Sequence, residues 1–193
     1  MEASRLAADD LALRTRASAI IKERSFRFGN FILVSGKSSP YYLDMKPTMF
    51  DPEGANLLAR LVIDRIAVLK PDYVGGVEMG AVPLVASVAA LSHEAGWPVR
   101  GFFVRKGAKN HGTRKLVDGV AHGELRDKNV VILEDVTTKR MSAMQAVSAA
   151  RAEGADVALV LSIVDREEGA AEFFRRQRLP FDFLFKASEF RAE

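Results

Sequence analysis

The chain of 193 residues contains no cysteine. Disulfides, thiolate metal sites and cysteine nucleophiles are therefore all excluded. Histidine is almost as scarce: the three, at 93, 111 and 122, are too scattered for a histidine-rich metal site. No apolar run approaches the length of a membrane span. The opening MEASRLAADDLALR is charged throughout, where a secretory signal would need an apolar centre. The expected location is the cytoplasm, with no membrane partner. There is also no internal repeat, linker or low-complexity tract, so one domain covering residues 1–193 is expected.

What is present is the composition of a protein with a real core, 48% hydrophobic and 27% charged. The formal charge of +3 is modest, but its distribution is uneven. Residues 105–115 read RKGAKNHGTRK and hold Arg105, Lys106, Lys109, His111, Arg114 and Lys115 without one acid. Such density suits an anionic partner, with a solvated loop as the plain alternative.

Hydrophobic spacing orders the rest. Leu13, Ala17, Ile20 and Ile21 recur at helical intervals, and FGNFILVSGKSSPYYLDMK reads as a hairpin around a Ser/Gly/Pro turn. Asp51 before Pro52 predicts a capped helix start, followed by a stripe of Leu58, Leu61, Val62, Ile66 and Leu69. Strand-like runs then come at 73–77, 98–106, 130–135, 157–165 and 181–185, the earlier ones separated by helical stretches. Short apolar strands joined by helices require crossover connections, and hence an open, mainly parallel α/β sheet with helices on both faces.

Such sheets bind ligands beyond the carboxyl ends of their strands. At those ends stand Glu78, the basic loop, Glu134 with Asp135, and Asp165 with Arg166. The fullest stretch is VVILEDVTTKRMSAM, residues 130–144: a buried strand, two acids, a hydroxyl-rich turn and an alanine-rich helix opening at Ser142. A helix start favours an anion through its unpaired N–H groups and dipole. A phosphate there leaves Glu134 and Asp135 as acceptors for vicinal sugar hydroxyls, while Thr137, Thr138 and Ser142 supply hydroxyl donors to phosphate oxygens. Acids capping a solvated helix remain the simpler alternative for this stretch alone.

VVILEDVTT resembles the binding motif for phosphoribosyl pyrophosphate (PRPP) of the type I phosphoribosyltransferases. Within that family three more stretches are similar to the orotate phosphoribosyltransferases: FGNFILVSGKSSPYYLD, VRKGAKNHGT and VDREEGA. The resemblance implies the family fold with residues 1–48 as an N-terminal hood. It implies a Mg2+-dependent glycosyl transfer from PRPP to orotate, giving orotidine 5'-phosphate and pyrophosphate in de novo pyrimidine synthesis. Lys109, His111 and Asp135 take catalytic positions by this resemblance. Arg105 and Lys106 would bind pyrophosphate, and Glu134, Thr137, Thr138, Lys139 and Ser142 fall in the PRPP motif. Arg166 would clamp the orotate carboxylate beside Tyr41 and Tyr42. Magnesium would ride on PRPP with no direct protein ligand. Loop 105–115 would reach the partner's site in a homodimer, and no nucleic acid is implied.

Four positions depart from the family pattern. Arg140 and Met141 replace paired glycines, Val34 stands where a phosphate-contacting lysine is frequent, and Gly107 replaces a glutamate. A PRPP or nucleotide sensor without turnover is the second reading these departures favour. Glycine lets amides approach a phosphate and adopt positive φ, which costs other residues about 1 kcal/mol or more. Arg140→Gly and Met141→Gly are accordingly expected to tighten PRPP binding, as read from the dissociation constants of the parent, both single variants and the double variant. Weaker binding in Arg140→Gly would instead mean that the arginine contacts the phosphate itself.

Overall fold

The computed structural model describes residues 2–32, 36, 38–107, 116–138 and 142–191, with side chains from residue 11 onward. Helix α1 (Glu2–Arg24) leads into strands β1 (Phe26–Ile32) and β2 (Ser38–Leu43), which form the expected hairpin. It is antiparallel, with Phe26 opposite Leu43 and Ile32 opposite Ser38. The one-turn α2 (Lys46–Met49) precedes α3 (Pro52–Ile66). This helix starts as its sequence dictates: the Asp51 carboxylate accepts from the N–H groups of Glu53 and Gly54, and Pro52 takes the first turn.

The main sheet then forms in one continuous passage. Its elements are β3 (Tyr73–Val77), α4 (Val82–Glu94), β4 (Arg100–Val104), β5 (Val117–Asp118), β6 (Asn129–Thr137), α5 (Ser142–Ala152), β7 (Asp156–Asp165), α6 (Ala170–Arg176) and β8 (Phe181–Lys186). The strand order is β5-β4-β3-β6-β7-β8. The five strands read from the sequence are the five parallel ones, and β5 adds a two-residue antiparallel edge beside β4. Neither β5 nor the seven-residue α6 was expected. Both are too short to show a period, and pairing or packing with distant residues decides them.

From β3 the chain steps one way to β4; from β6 it steps the other way to β7 and β8. Right-handed crossovers in opposite directions put their helices on opposite faces. Two cores follow. On one face, α4 packs Leu84, Val85 and Val88 with Val74, Val131 and Leu133, and α1 and α3 add Ala17, Ile21, Leu58 and Ile66. On the other, α5 sets Ala143, Ala146, Val147 and Ala150 against Tyr73, Val130 and Ile132, with Phe174 of α6. Successive residues of β6 thus serve alternate cores, which explains why its run is apolar without interruption.

The approach of β3 to β4 leaves no room at Gly75. A Cβ there would lie 2.2 Å from the Phe102 ring, and that ring is itself 1% exposed. Gly75→Ala is therefore expected to destabilise the fold by about 1–3 kcal/mol, the range for overpacked cores. Urea titration should show a lower midpoint with an unchanged slope. An unmoved midpoint would mean that the ring can shift freely.

Candidate active site

The reversal between β3 and β6 makes a crevice at their carboxyl ends, the switch point where open α/β sheets bind ligands. Glu134 and Asp135 enter it from β6. Across from them, the turn after β3 passes so close that a Cβ on Gly80 would sit 2.9 Å from both Asp135 carboxylate oxygens. Glycine at 80 is what lets turn and acid coexist. Lys46, at the start of α2, brings a positive charge toward Asp135. Lys46 was not singled out by its local sequence, because only the fold carries it to the acids.

Glu134 is buried and Asp135 half-buried, and their chemistry follows from that. Loss of solvent pushes the Glu134 carboxyl up to about 8, and the Asp135 charge adds to the shift; the Ser142 hydroxyl bond and Lys106 act against it. Asp135 is raised as well, chiefly by burial, against a 2.8 Å bond from the Val136 N–H and the charge of Lys46. Adjacent carboxyls of this kind accept hydrogen bonds from sugar hydroxyls and suit a positively charged neighbour.

Two residues expected to reach phosphate are placed otherwise. The Ser142 hydroxyl donates to the Glu134 carboxyl, so it holds the acid at the helix start. Thr137 is not in the turn at all. Strand β6 continues until Thr137 pairs with Asp165 of β7. Its hydroxyl is buried within 3.3 Å of Ser162 Oγ and 3.4 Å of the Val164 carbonyl oxygen. Ladder pairing won over the local turn signal. Thr138, half-buried, is the first residue past the strand.

The basic stretch is anchored at its root. Arg105 donates through Nε to Asp118 of β5, and its Nη1 lies 4.0 Å from Glu78. The Lys106 N–H donates to Glu78 at 3.0 Å, and the Arg105 carbonyl accepts from Gln145 of α5 at 2.8 Å. Glu78, Asp118 and Gln145 come from three separate elements. Lys109, His111 and Lys139, like Val34, Arg140 and Met141, lie outside the described residues.

A second cluster forms where β7 ends against the hairpin. Arg166, 7% exposed, places its guanidinium carbon 4.6 Å from the Tyr41 ring centroid. Its Nε donates to Glu168 at 3.1 Å, and its Nη2 approaches the Ser39 hydroxyl at 3.5 Å. Tyr41 in turn stacks on Phe26, with centroids 5.0 Å apart. Tyr42 does not join them. Strand side chains alternate, so Tyr42 faces the other side of the hairpin with Phe31 and is 43% exposed.

A buried acid pair at the switch point of a mainly parallel sheet, ahead of a helix start and beside a small antiparallel hood, is the plan of the type I phosphoribosyltransferases. Solved structures agree. The chain superposes on Mycobacterium tuberculosis H37Rv orotate phosphoribosyltransferase in complex with Fe(III) dicitrate at a TM-score of 0.81, with 29% identity over 93% of this chain and 99% of that one. The PRPP complex of the M. tuberculosis protein gives a TM-score of 0.74 and 25% identity over 93% and 92% of the two chains. No family model matches the chain. The orotate phosphoribosyltransferase of Rhodopseudomonas palustris strain TIE-1 is 53% identical over 180 residues, 93% of this chain and 96% of the relative. At that identity and coverage, the chain belongs to the orotate phosphoribosyltransferase family.

The raised Glu134 pKa makes stability depend on pH. A carboxyl shifted from 4.5 in the unfolded chain to about 8 when folded contributes stability that is full below the lower value and lost as pH rises through the higher one. Glu134→Gln is uncharged at every pH and keeps an oxygen for Ser142. In the ligand-free protein it should raise the melting temperature more at pH 9 than at pH 5. Equal shifts at both pH values would show that Glu134 is ionised in the fold throughout.

Proposed function

We propose that this site transfers the phosphoribosyl group of PRPP to orotate, the step that yields orotidine 5'-phosphate in de novo UMP synthesis. The carrying observation is the buried Arg166 over Tyr41, a cation against a flat aromatic wall and apart from the acid pair. A planar guanidinium suits a carboxylate on a planar ring. Glu134 and Asp135 then accept from the ribose hydroxyls, while the start of α5 faces the 5'-phosphate. Arg105, Lys106, Lys109 and His111 neutralise the departing pyrophosphate.

In the reaction, a ring nitrogen of orotate bonds to ribose C1 and its proton passes to the departing pyrophosphate, as the bond from C1 to pyrophosphate oxygen breaks with its electron pair leaving on pyrophosphate. Positive charge develops on the sugar between these events. The half-buried Asp135 beside it offsets that charge, and the fixed elements hold the partners in line. Catalysis here is positioning and charge balance, with no covalent enzyme intermediate.

Glu134 and Asp135 are hard oxygen donors of the kind magnesium takes. Among the described residues, however, no group of three or more His, Asp or Glu side chains could hold a metal ion. In this reading Mg2+ rides on PRPP itself, where it would offset pyrophosphate charge. A homodimer sharing loops 105–115, a hood built from residues 1–48 and a cytoplasmic location complete the reading. No helix among the described residues is long and apolar enough to cross a membrane.

The test is pyrophosphate release from PRPP and Mg2+ with a panel of bases. Orotate alone should give turnover, and release with none of them would favour the sensor. Arg166→Ala should raise the KM for orotate by about two orders of magnitude, the scale of a lost charge-assisted pair, and that for PRPP by less than about threefold. Equal losses for both substrates would make Arg166 a structural arginine.

A further inference from the structure

We propose that Arg191 is a second cation of the carboxylate subsite, acting beside Arg166 on the same anionic group. The proposal rests on the reading of Arg166 given above. Its starting point is one aromatic ring shared by two arginines: the guanidinium carbon of Arg166 lies 4.6 Å from the Tyr41 centroid and that of Arg191 lies 5.2 Å from it. Two like charges over one ring repel. The chain offsets them with two successive acids, Glu168 on Arg166 at 3.1 Å and Glu167 on Arg191 at 3.4 Å.

The acids are used differently, and the difference is informative. Arg166 has a side chain only 6% exposed and is tied through Nε. Arg191 keeps 42% of its side chain exposed, and its one acid contact among the described residues is longer than an ordinary charge-assisted bond. Most of its donors therefore remain for a ligand. Its position is nevertheless set. The short 3-10 turn before it, Ala187–Phe190, buries Phe190 completely, 5.8 Å from both Phe26 and Phe185. Phe26 is also the ring on which Tyr41 stacks.

Glu167 itself adopts φ 61, a left-handed conformation uncommon for a residue with a side chain. It is held there while its carboxylate accepts from the Ser188 N–H at 3.0 Å. One strained residue thus ties the turn carrying Arg191 to the segment carrying Arg166. Strain kept at such a junction fits a site whose geometry matters. A carboxylate received between the two guanidinium groups would relieve their repulsion, and a flat acidic base is the ligand class that fits.

The experiment compares two nucleotides that differ only in this group: orotidine 5'-phosphate, with the carboxylate, and uridine 5'-phosphate, without it. Affinities are measured by calorimetry for the parent, Arg191→Ala, Arg191→Lys and Arg166→Ala. Arg191→Ala should weaken orotidine 5'-phosphate by about three- to tenfold, leave uridine 5'-phosphate within about twofold, and be largely rescued by Arg191→Lys. Equal losses for both nucleotides, or no loss for either, would reduce Arg191 to a staple of the 3-10 turn and overturn the proposal. Should Arg191→Ala not fold, Arg191→Gln against Arg191→Lys gives the same comparison. Arg166→Ala separates the two readings. If it also fails to distinguish the nucleotides, the carboxylate subsite itself is misplaced; if it alone distinguishes them, only the role of Arg191 falls.

Discussion

Two carboxyls side by side at the buried end of β6 are the constraint around which the site is arranged. Such a pair is costly unless each acid is neutral, hydrogen-bonded or faced by a cation. The chain uses all three means. Glu134 is raised toward neutrality and accepts from Ser142; Asp135 accepts from a backbone N–H and faces Lys46. Gly80 keeps the opposing turn from colliding with Asp135. A ligand rich in hydroxyls, close to positive charge, is what this arrangement receives most favourably.

The remaining parts stand on separate elements. The basic loop is rooted by Asp118, Glu78 and Gln145, so its first two cations leave the sheet from a fixed point. Arg166 lies just past the end of β7, against a ring supplied by the hairpin. Transfer of a phosphoribosyl group needs leaving group, sugar and acceptor in line, and the acid pair, the root of the basic loop and Arg166 stand on different segments of chain. Stiff parallel strands hold those segments apart without a covalent role for any residue.

Much of this was legible in the sequence. The five apolar runs became the five parallel strands, Asp51 and Pro52 opened α3 as capping rules require, and the polar residues expected at strand ends did gather there. Local chemistry also marked Glu134, Asp135 and Arg166 as charged residues that follow buried strands. Thr137, Ser142 and Tyr42 were read less well. Each looked available by position in the chain, and each was reassigned by a neighbour: the β7 ladder, the Glu134 carboxyl and the strand's own alternation.

Periodicity and turn chemistry act over a few residues, and that range is what the sequence by itself determined: which runs become strands, where helices begin, and which residues carry charge to the ends of strands. Strand order lies beyond it. That β3 neighbours β6, that the switch point falls between Glu78 and Glu134, and that residues 41, 166 and 191 meet over one ring are outcomes of tertiary packing. Contacts across more than a hundred residues carry no local pattern, because they form only when two faces of one sheet must be covered at once.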